Sequence, residues 1–477
     1  VTAVIEYDEA GVDYDTYLRT FNGFSGATKP SLKVEIGFGG FYYEELIDAA
    51  YDKSVTFDTD SIYYTGIAAT GQTITYESEI GYGGEITSAL DPTPDEWTDV
   101  SAYVRQVNVR RGNDNFLIRQ IEAGSATIVL DDPDSRFLPS NTASFYYPFV
   151  KPARPVRIMA VWSDAETEIF RGMTERWTQN FGRNLSTTEV ILTCVDTTAL
   201  LERYDVDQTT IGSSGDTTAQ RVSDLLDDTG PFSTRQAWPT LLRDIDSATT
   251  ATIEQDAAGT TTLLAALRKV VDSEWGLLYS SKDGKLTFKG RAAANPGSTA
   301  LVEPKWAFGD ADQITVLTDT YAAGRYDTIE VESDDGNLTN VVIVSDAFGN
   351  EGGWKYPDAI QEYEERRLSI TTLLQNATAA ESLASFVLNN QFDPLLRIKR
   401  LGFYLGAGNT ASTSTAVNAE LLDTVIIKQT TPGNVEMILR GVVFGLEYEI
   451  TREQFYTTFI FGPQFSDSIL DVKGEAV

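Results

Sequence analysis

The hydrophobic periodicity of this chain, and where that periodicity changes, most restricts its fold. Alternating or short apolar stretches bounded by turn residues dominate residues 97–205 and most of 311–477. Helical spacing is concentrated between them, over 206–310, and in one later segment. The order is therefore β, α+β, β, preceded by a further β-like region. That is not the strand–helix alternation of a doubly wound parallel sheet, so the expected class is mainly β with an α+β insertion in a multidomain chain.

In 97–205 the strand candidates are Val104–Val109, Ser125–Leu130, Val156–Trp162 and Glu189–Val195, with Asp196 as the N-cap of a short helix over 197–204. In 206–310 Asp216 caps a helix carrying Ala219, Val222, Leu225 and Leu226. A second helix is expected from Thr262 to Trp275, stopped by Gly276. Asp283-Gly284 between β-rich runs is a hairpin signal. In 311–477 a hairpin is expected around Asp334–Asn337 and one helix over 377–389, closed by Asp393-Pro394. The remainder, from Leu395 to Phe461, reads as strands and turns.

Residues 1–96 differ in composition. Over 1–100 there are 19 acidic and 4 basic residues, a balance of −15, and 16 of the 52 aromatics; over 101–160 the balance is 5 acidic to 8 basic, or +3. The shift and the run Asp91-Pro92-Thr93-Pro94-Asp95 place a junction near residue 96. Strands are expected at Ser31–Ile36 and Gln72–Tyr76. The related stretches Glu35–Gly40 and Glu79–Gly84 suit tight turns, because neither carries the Lys-Ser/Thr of a phosphate loop.

Composition removes several kinds of chemistry. The chain has no histidine and one cysteine, which excludes Ser-His-Asp, Cys-His and HExxH machinery, a disulfide framework and Cys-cluster metals. Carboxylate, Lys or Tyr chemistry, hard cations, or no chemistry remain. A net charge of −33 opposes capture of free nucleic acid and stable association with an anionic membrane.

Each remaining motif has two readings. Asp131-Asp132-Pro133-Asp134 follows a strand and could hold Ca²⁺, but it lacks the spacing of a calcium loop and equally makes an Asx turn. Seventy acidic residues guarantee carboxylate pairs, so a glycoside hydrolase has no localising motif. Arg105, Arg110, Arg111 and Arg119 make a basic patch on an acidic chain, either a docking surface for a partner or another copy, or a solvated strand end. The Tyr/Phe-rich segments serve cores and interfaces or stack on sugars. Cys194 lies in an apolar strand and reads as a buried, inert thiol.

A longer pattern has a familiar order. It runs from Trp97–Ser101 through Val109-Arg110-Arg111-Gly112, Glu122–Thr127 and Leu130–Phe137. It continues with Tyr146-Tyr147, Arg154–Ile158, Phe170-Arg171-Gly172, Cys194-Val195-Asp196 and Leu200-Leu201. The helix to Trp275, the Asp283-Gly284 hairpin, Arg367–Ile370 and the helix closing at Asp393-Pro394 follow. This series resembles the minor tail proteins of siphophages, the hub at the tail tip, over roughly residues 97–460.

The resemblance implies a structural, non-enzymatic virion protein at the tail tip, assembled in the host cytoplasm, with no cofactor and no metal. It implies two tube-like β-barrel domains, at 97–205 and 311–477, with the α+β module of 206–310 between them and 1–96 as an added region. It also implies a homotrimer whose three chains present six barrels. Its partners would be the tail tube or distal tail protein, the tape measure protein and tip or receptor-binding proteins, with DNA only passing through. A sixfold distal tail or baseplate ring protein, and a host-surface glycan binder using 1–96, are the alternatives.

Overall fold

A computed structural model describes residues 29–38, 63–67, 73–77, 97–113, 122–181, 188–207, 211–228, 238–249, 251–256, 259–295, 303–316, 319–333, 338–389, 397–431, 433–434, 436–462 and 475–476. Thirteen strands join in one sheet: β1 (Ser31–Ile36), β2 (Thr98–Asp99), β3 (Val104–Gly112), β4 (Ser125–Asp131), β5 (Pro155–Trp162), β6 (Ala165–Phe181), β7 (Thr188–Val195), β8 (Trp306–Gly309), β9 (Thr328–Glu332), β10 (Arg397–Tyr404), β11 (Thr424–Thr430), β12 (Glu436–Thr451) and β13 (Phe455–Gly462). The main path is β9-β10-β13-β12-β3-β4-β7-β6-β5-β1-β2, with β11 also on β12 and β8 on β11.

That path contains the same unit twice. Strands β3-β4-β7-β6-β5 and β9-β10-β13-β12-β11 have the same order relative to the chain. The likeness extends to single residues. The long strand β6 pairs with β5 up to Met173 and with β7 from Met173 onward, and its register shifts between Thr174 and Arg176. The long strand β12 pairs with β11 up to Val442 and with β13 from Val442 onward, and its register shifts between Val443 and Gly445. A bulge leaves one residue unpaired and bends the strand, so both long strands turn at the same place.

The two units are joined by a ladder. Strand β3 lies antiparallel on β12, from Gly445 opposite Gly112 to Thr451 opposite Gln106. Both the alternation within each strand and the ladder carry apolar side chains inward. Val107, Val109, Ile128, Leu192, Leu446 and Ile450 are buried in one core shared by both units. Phe308, Phe403 and Phe459 pack in that core with centroids 5.1–6.0 Å apart, and truncating one of them costs about 3–5 kcal/mol.

The sheet does not close among the described residues. The edge strand β2 ends at Asp99, only a 3-10 turn before β3, but β2 and β3 are neighbours along the chain and not ladder partners. The described residues thus form an open sheet, not the closed barrels that the resemblance implies. Strand β1, from the acidic N-terminal region, belongs to this sheet and pairs with β5 from Ser31 to Ile36.

The α+β module packs a second core. Helices α1 (Thr218–Asp227), α2 (Leu263–Glu274) and α3 (Ala377–Asn389) bury the expected apolar faces against short sheets. One of those sheets contains Val341–Ser345 and Glu351–Lys355, so the stretch between β9 and β10 folds onto the 206–294 region.

Local readings need four corrections. The side chain of Thr217, not Asp216, caps α1 by accepting the Gln220 N–H; Asp216 instead binds Arg221 and the Ser213 N–H. The left-handed residue ending α2 is Trp275, while Gly276 is needed because a Cβ there would lie 2.4 Å from the Lys289 carbonyl. The helix after Asp196 covers only Thr198–Leu201. A helix α4 (Thr410–Asn418) stands where strands and turns were expected. Its Thr413 and Thr415 hydroxyls donate back to the carbonyls of Asn409 and Ala411, which lets a Ser/Thr-rich segment bury as a helix.

The expectations at Glu79–Gly84, Asp91–Asp95, Arg119, Asp334–Asn337 and Asp393-Pro394 lie outside the described residues.

Candidate assembly surface

The four expected interface arginines do not share one environment. Beyond the register shift near Arg105, alternation along β3 sends Asn108 and Arg110 outward and Val107, Val109 and Arg111 inward. Arg105 is exposed and pairs with Asp131 at 3.4 Å and Glu189 at 3.2 Å. Arg110 faces Glu447 across the seam at 3.7 Å, and Glu447 also meets Arg400 at 3.6 Å. Asp131 takes a further ion pair from Arg452 at 2.8 Å. These charges form an outer ladder that crosses from one unit to the other, each exposed pair worth about 0–1 kcal/mol. Arg119 lies outside the described residues.

Arg111 is only 3% exposed. Its guanidinium donates to Glu420 and to the Ser280 carbonyl at 3.0 Å. Glu420 in turn accepts the Lys282 N–H at 2.9 Å and the Leu421 N–H at 2.8 Å. Three parts of the chain thus meet at one carboxylate: β3, the Asp283-Gly284 hairpin and the segment leading into β11. Sequence marks Arg111 only as part of a basic run, and nothing local identifies its partner.

The acidic run after β4 is a turn. Asp132 is buried, and its carboxylate accepts the Arg136 N–H at 2.7 Å and the Phe137 N–H. Burial raises its pKa above the ordinary carboxylate range, against those two backbone hydrogen bonds. Asp134 pairs with Arg136, and Asp131 with Arg105 and Arg452. Among the described residues no group of three or more His, Cys, Asp or Glu side chains could hold a metal ion.

Aromatic residues beside this turn are mainly core. Tyr146 stacks between Phe38 and Phe137 at 4.7 and 5.1 Å, and Trp177 joins them at 6.2 Å from both. Arg136 lies 4.2 Å above the Tyr103 ring. Phe145 and Phe181 remain exposed at the rim. Cys194 is buried, and burial drives its thiol upward, away from the thiolate.

A polar groove of about 480 Å³ opens between the module and the second unit. Its carboxylates already have protein donors: Lys289 on Asp244, the Ala248 and Gly290 N–H groups on Asp246, and Lys305 with the Trp306 indole on Asp423. The groove is thus part of the junction between parts of the chain.

Two strand edges stand out. Among the described residues, β9 has a ladder partner only in β10, and the 176–181 stretch of β6 has one only in β7. Open edges present unpaired N–H and C=O groups and are templates for another strand.

With this geometry, the chain shares its fold with the tail protein from Neisseria meningitidis MC58, at TM-score 0.50 and 13% identity over 78% of this chain and 94% of that one. Similarity also extends to the tail protein of prophage MuSo2 from Shewanella oneidensis, at TM-score 0.46 and 11% identity over 77% and 95%. A prophage tail protein from Listeria monocytogenes follows, at TM-score 0.42 and 10% identity over 80% and 94%. No protein-family model matches the sequence. No curated protein matches it either.

Proposed function

We propose that this chain is a structural protein of a phage tail, and specifically a ring-forming hub that joins the tail tube to the tip. The observation that carries the reading is the tandem pair of equivalent β units, joined by the β3–β12 ladder, in a fold shared with a tail protein. Two equivalent units per chain suit a protein that adapts a sixfold tube to a threefold tip, because three copies supply six units. In the assembly each unit acts as a tube-like barrel. Its interfaces face the tube or distal tail protein, the tape measure and the tip proteins.

The chemistry fits a scaffold. A channel lined by an acidic protein offers no counterion-release attraction, so DNA passes without sticking. The described carboxylates at the turn, the seam and the groove are engaged in ion pairs and turns, which a load-sharing protein needs and proton transfer does not. The test is mass spectrometry of density-purified particles with immunogold labelling of the same preparation. The reading expects the chain in the particle and gold at the tail end. A chain absent from particles contradicts it.

A further inference from the structure

We infer that copies of this chain join through their sheet edges, with β9 of one copy laid antiparallel on residues 176–181 of β6 of the next. This rests on the hub reading above and names the surfaces it would use.

In the second unit, the stretch of β12 beyond its bulge carries β13 on one edge and β3 on the other. The equivalent stretch of β6 carries β7 on one edge and no ladder on the other among the described residues. Conversely β3, the first strand of its unit, sits between β4 and β12, whereas β9, the first strand of the other unit, pairs only with β10 among the described residues. One contact between units is made within the chain. The same contact with the units exchanged leaves one donor edge and one acceptor edge, at opposite ends of the tandem.

The register follows from the ladders. Met173 and Val442 occupy equivalent positions, so Thr178 corresponds to Glu447, Asn180 to Glu449 and Phe181 to Ile450. Thr178 leads across its sheet through Ile191 and Val129 to Gln106, as Glu447 leads through Thr458 and Gly402 to Thr328, so Val107 corresponds to Ile329 and Asn108 to Glu330. At the existing seam Ile450 opposes Val107 and both are fully buried. At the open edges their counterparts are Phe181, 59% exposed, and the half-buried Ile329. Copying the seam puts Phe181 opposite Ile329 and Asn180 opposite Glu330. It also places the exposed Arg176 diagonal to Glu332, within reach for an opposite-charge pair.

Such a contact uses two different surfaces, so it is head to tail. It closes into a ring when the rotation per copy divides a full turn, and closure removes both open edges. Apolar cover for Phe181 and a backbone ladder then act together.

The experiment uses the full chain with two variants and sedimentation at rising concentration. Asn180→Cys combined with Glu330→Cys is expected to give intermolecular disulfides on oxidation, with the buried native Cys194 silent. Phe181→Asp is expected to weaken self-association at least about tenfold while leaving the melting temperature of the isolated chain unchanged, because Phe181 is exposed there. Rings that persist in Phe181→Asp and do not cross-link overturn the edge contact and leave the hub reading standing. A wild-type chain that stays monomeric at every concentration and is absent from particles overturns both.

Discussion

Arg111 and Glu420, 309 positions apart, form an ion pair at the point where both β units and the α+β module meet. Arg111 is buried, and that carboxylate compensates its charge. Glu420 also holds the hairpin through the Lys282 N–H. Removing one member of such a pair leaves the other uncompensated.

Arg111→Ala and Glu420→Ala should each destabilise by about 3 kcal/mol in urea unfolding. Glu420→Gln should be milder, since an amide oxygen still accepts from Lys282 and Leu421. A double-mutant cycle should give a coupling above about 1 kcal/mol. Additive single effects would show that the pair does not tie the units together.

Gly112 ends the seam with φ of 86°, and a Cβ there would lie 2.0 Å from the Phe444 carbonyl oxygen. Gly112→Ala should therefore cost more than about 3 kcal/mol, because strain and backbone overlap add. Gly349 has φ of 81° with nothing within 4 Å of its Cβ position. Gly349→Ala should cost only about 1 kcal/mol. Thermal melts of the two variants separate overlap from conformational strain.

Stability should rise in mild acid. Burial pushes Asp196 up to about 6, against hydrogen bonds from Thr198 and Gly124 and the charge of Arg111. Burial likewise raises Asp272 to about 6, opposed by Arg268. A raised carboxyl binds its proton more tightly folded than unfolded, so its contribution grows as pH falls from 7 through 6 toward 4. Asp196→Asn should flatten this rise by about 2 kcal/mol. Melting temperatures between pH 7 and pH 5 provide the check, and a fall over that window contradicts it.

The turn after β4 gives a metal test. Asp132→Ala should destabilise by about 1–2 kcal/mol, because the Arg136 and Phe137 N–H groups lose the carboxylate that accepts from them. Adding calcium or a chelator should leave the wild-type melting temperature unchanged. A calcium-dependent increase would restore the cation reading of Asp131–Asp134.

Elements carried by local pattern were legible in the sequence. The α2 face of Leu263, Leu264, Leu267, Val270 and Val271 is buried as its spacing requires, and Gly284 takes φ of 82° in the expected hairpin. Helix α4 was not legible, because Ser and Thr there are held by back-bonding and tertiary burial. The strand pairings were hidden for a different reason. Alternation shows which face of β3 points inward, but not that Arg110 would oppose Glu447 across more than three hundred residues. The basic run therefore read as a single patch, although it contains a bulge residue, a seam residue and a buried strut.

The most direct test is a cryo-EM reconstruction of the tail end of purified particles. The account predicts this chain in a closed ring at the end of the tube, with two β units per copy and each β9 edge seated on a neighbouring β6. A tail end without the chain, or with the chain outside the ring as a separate appendage, would contradict it.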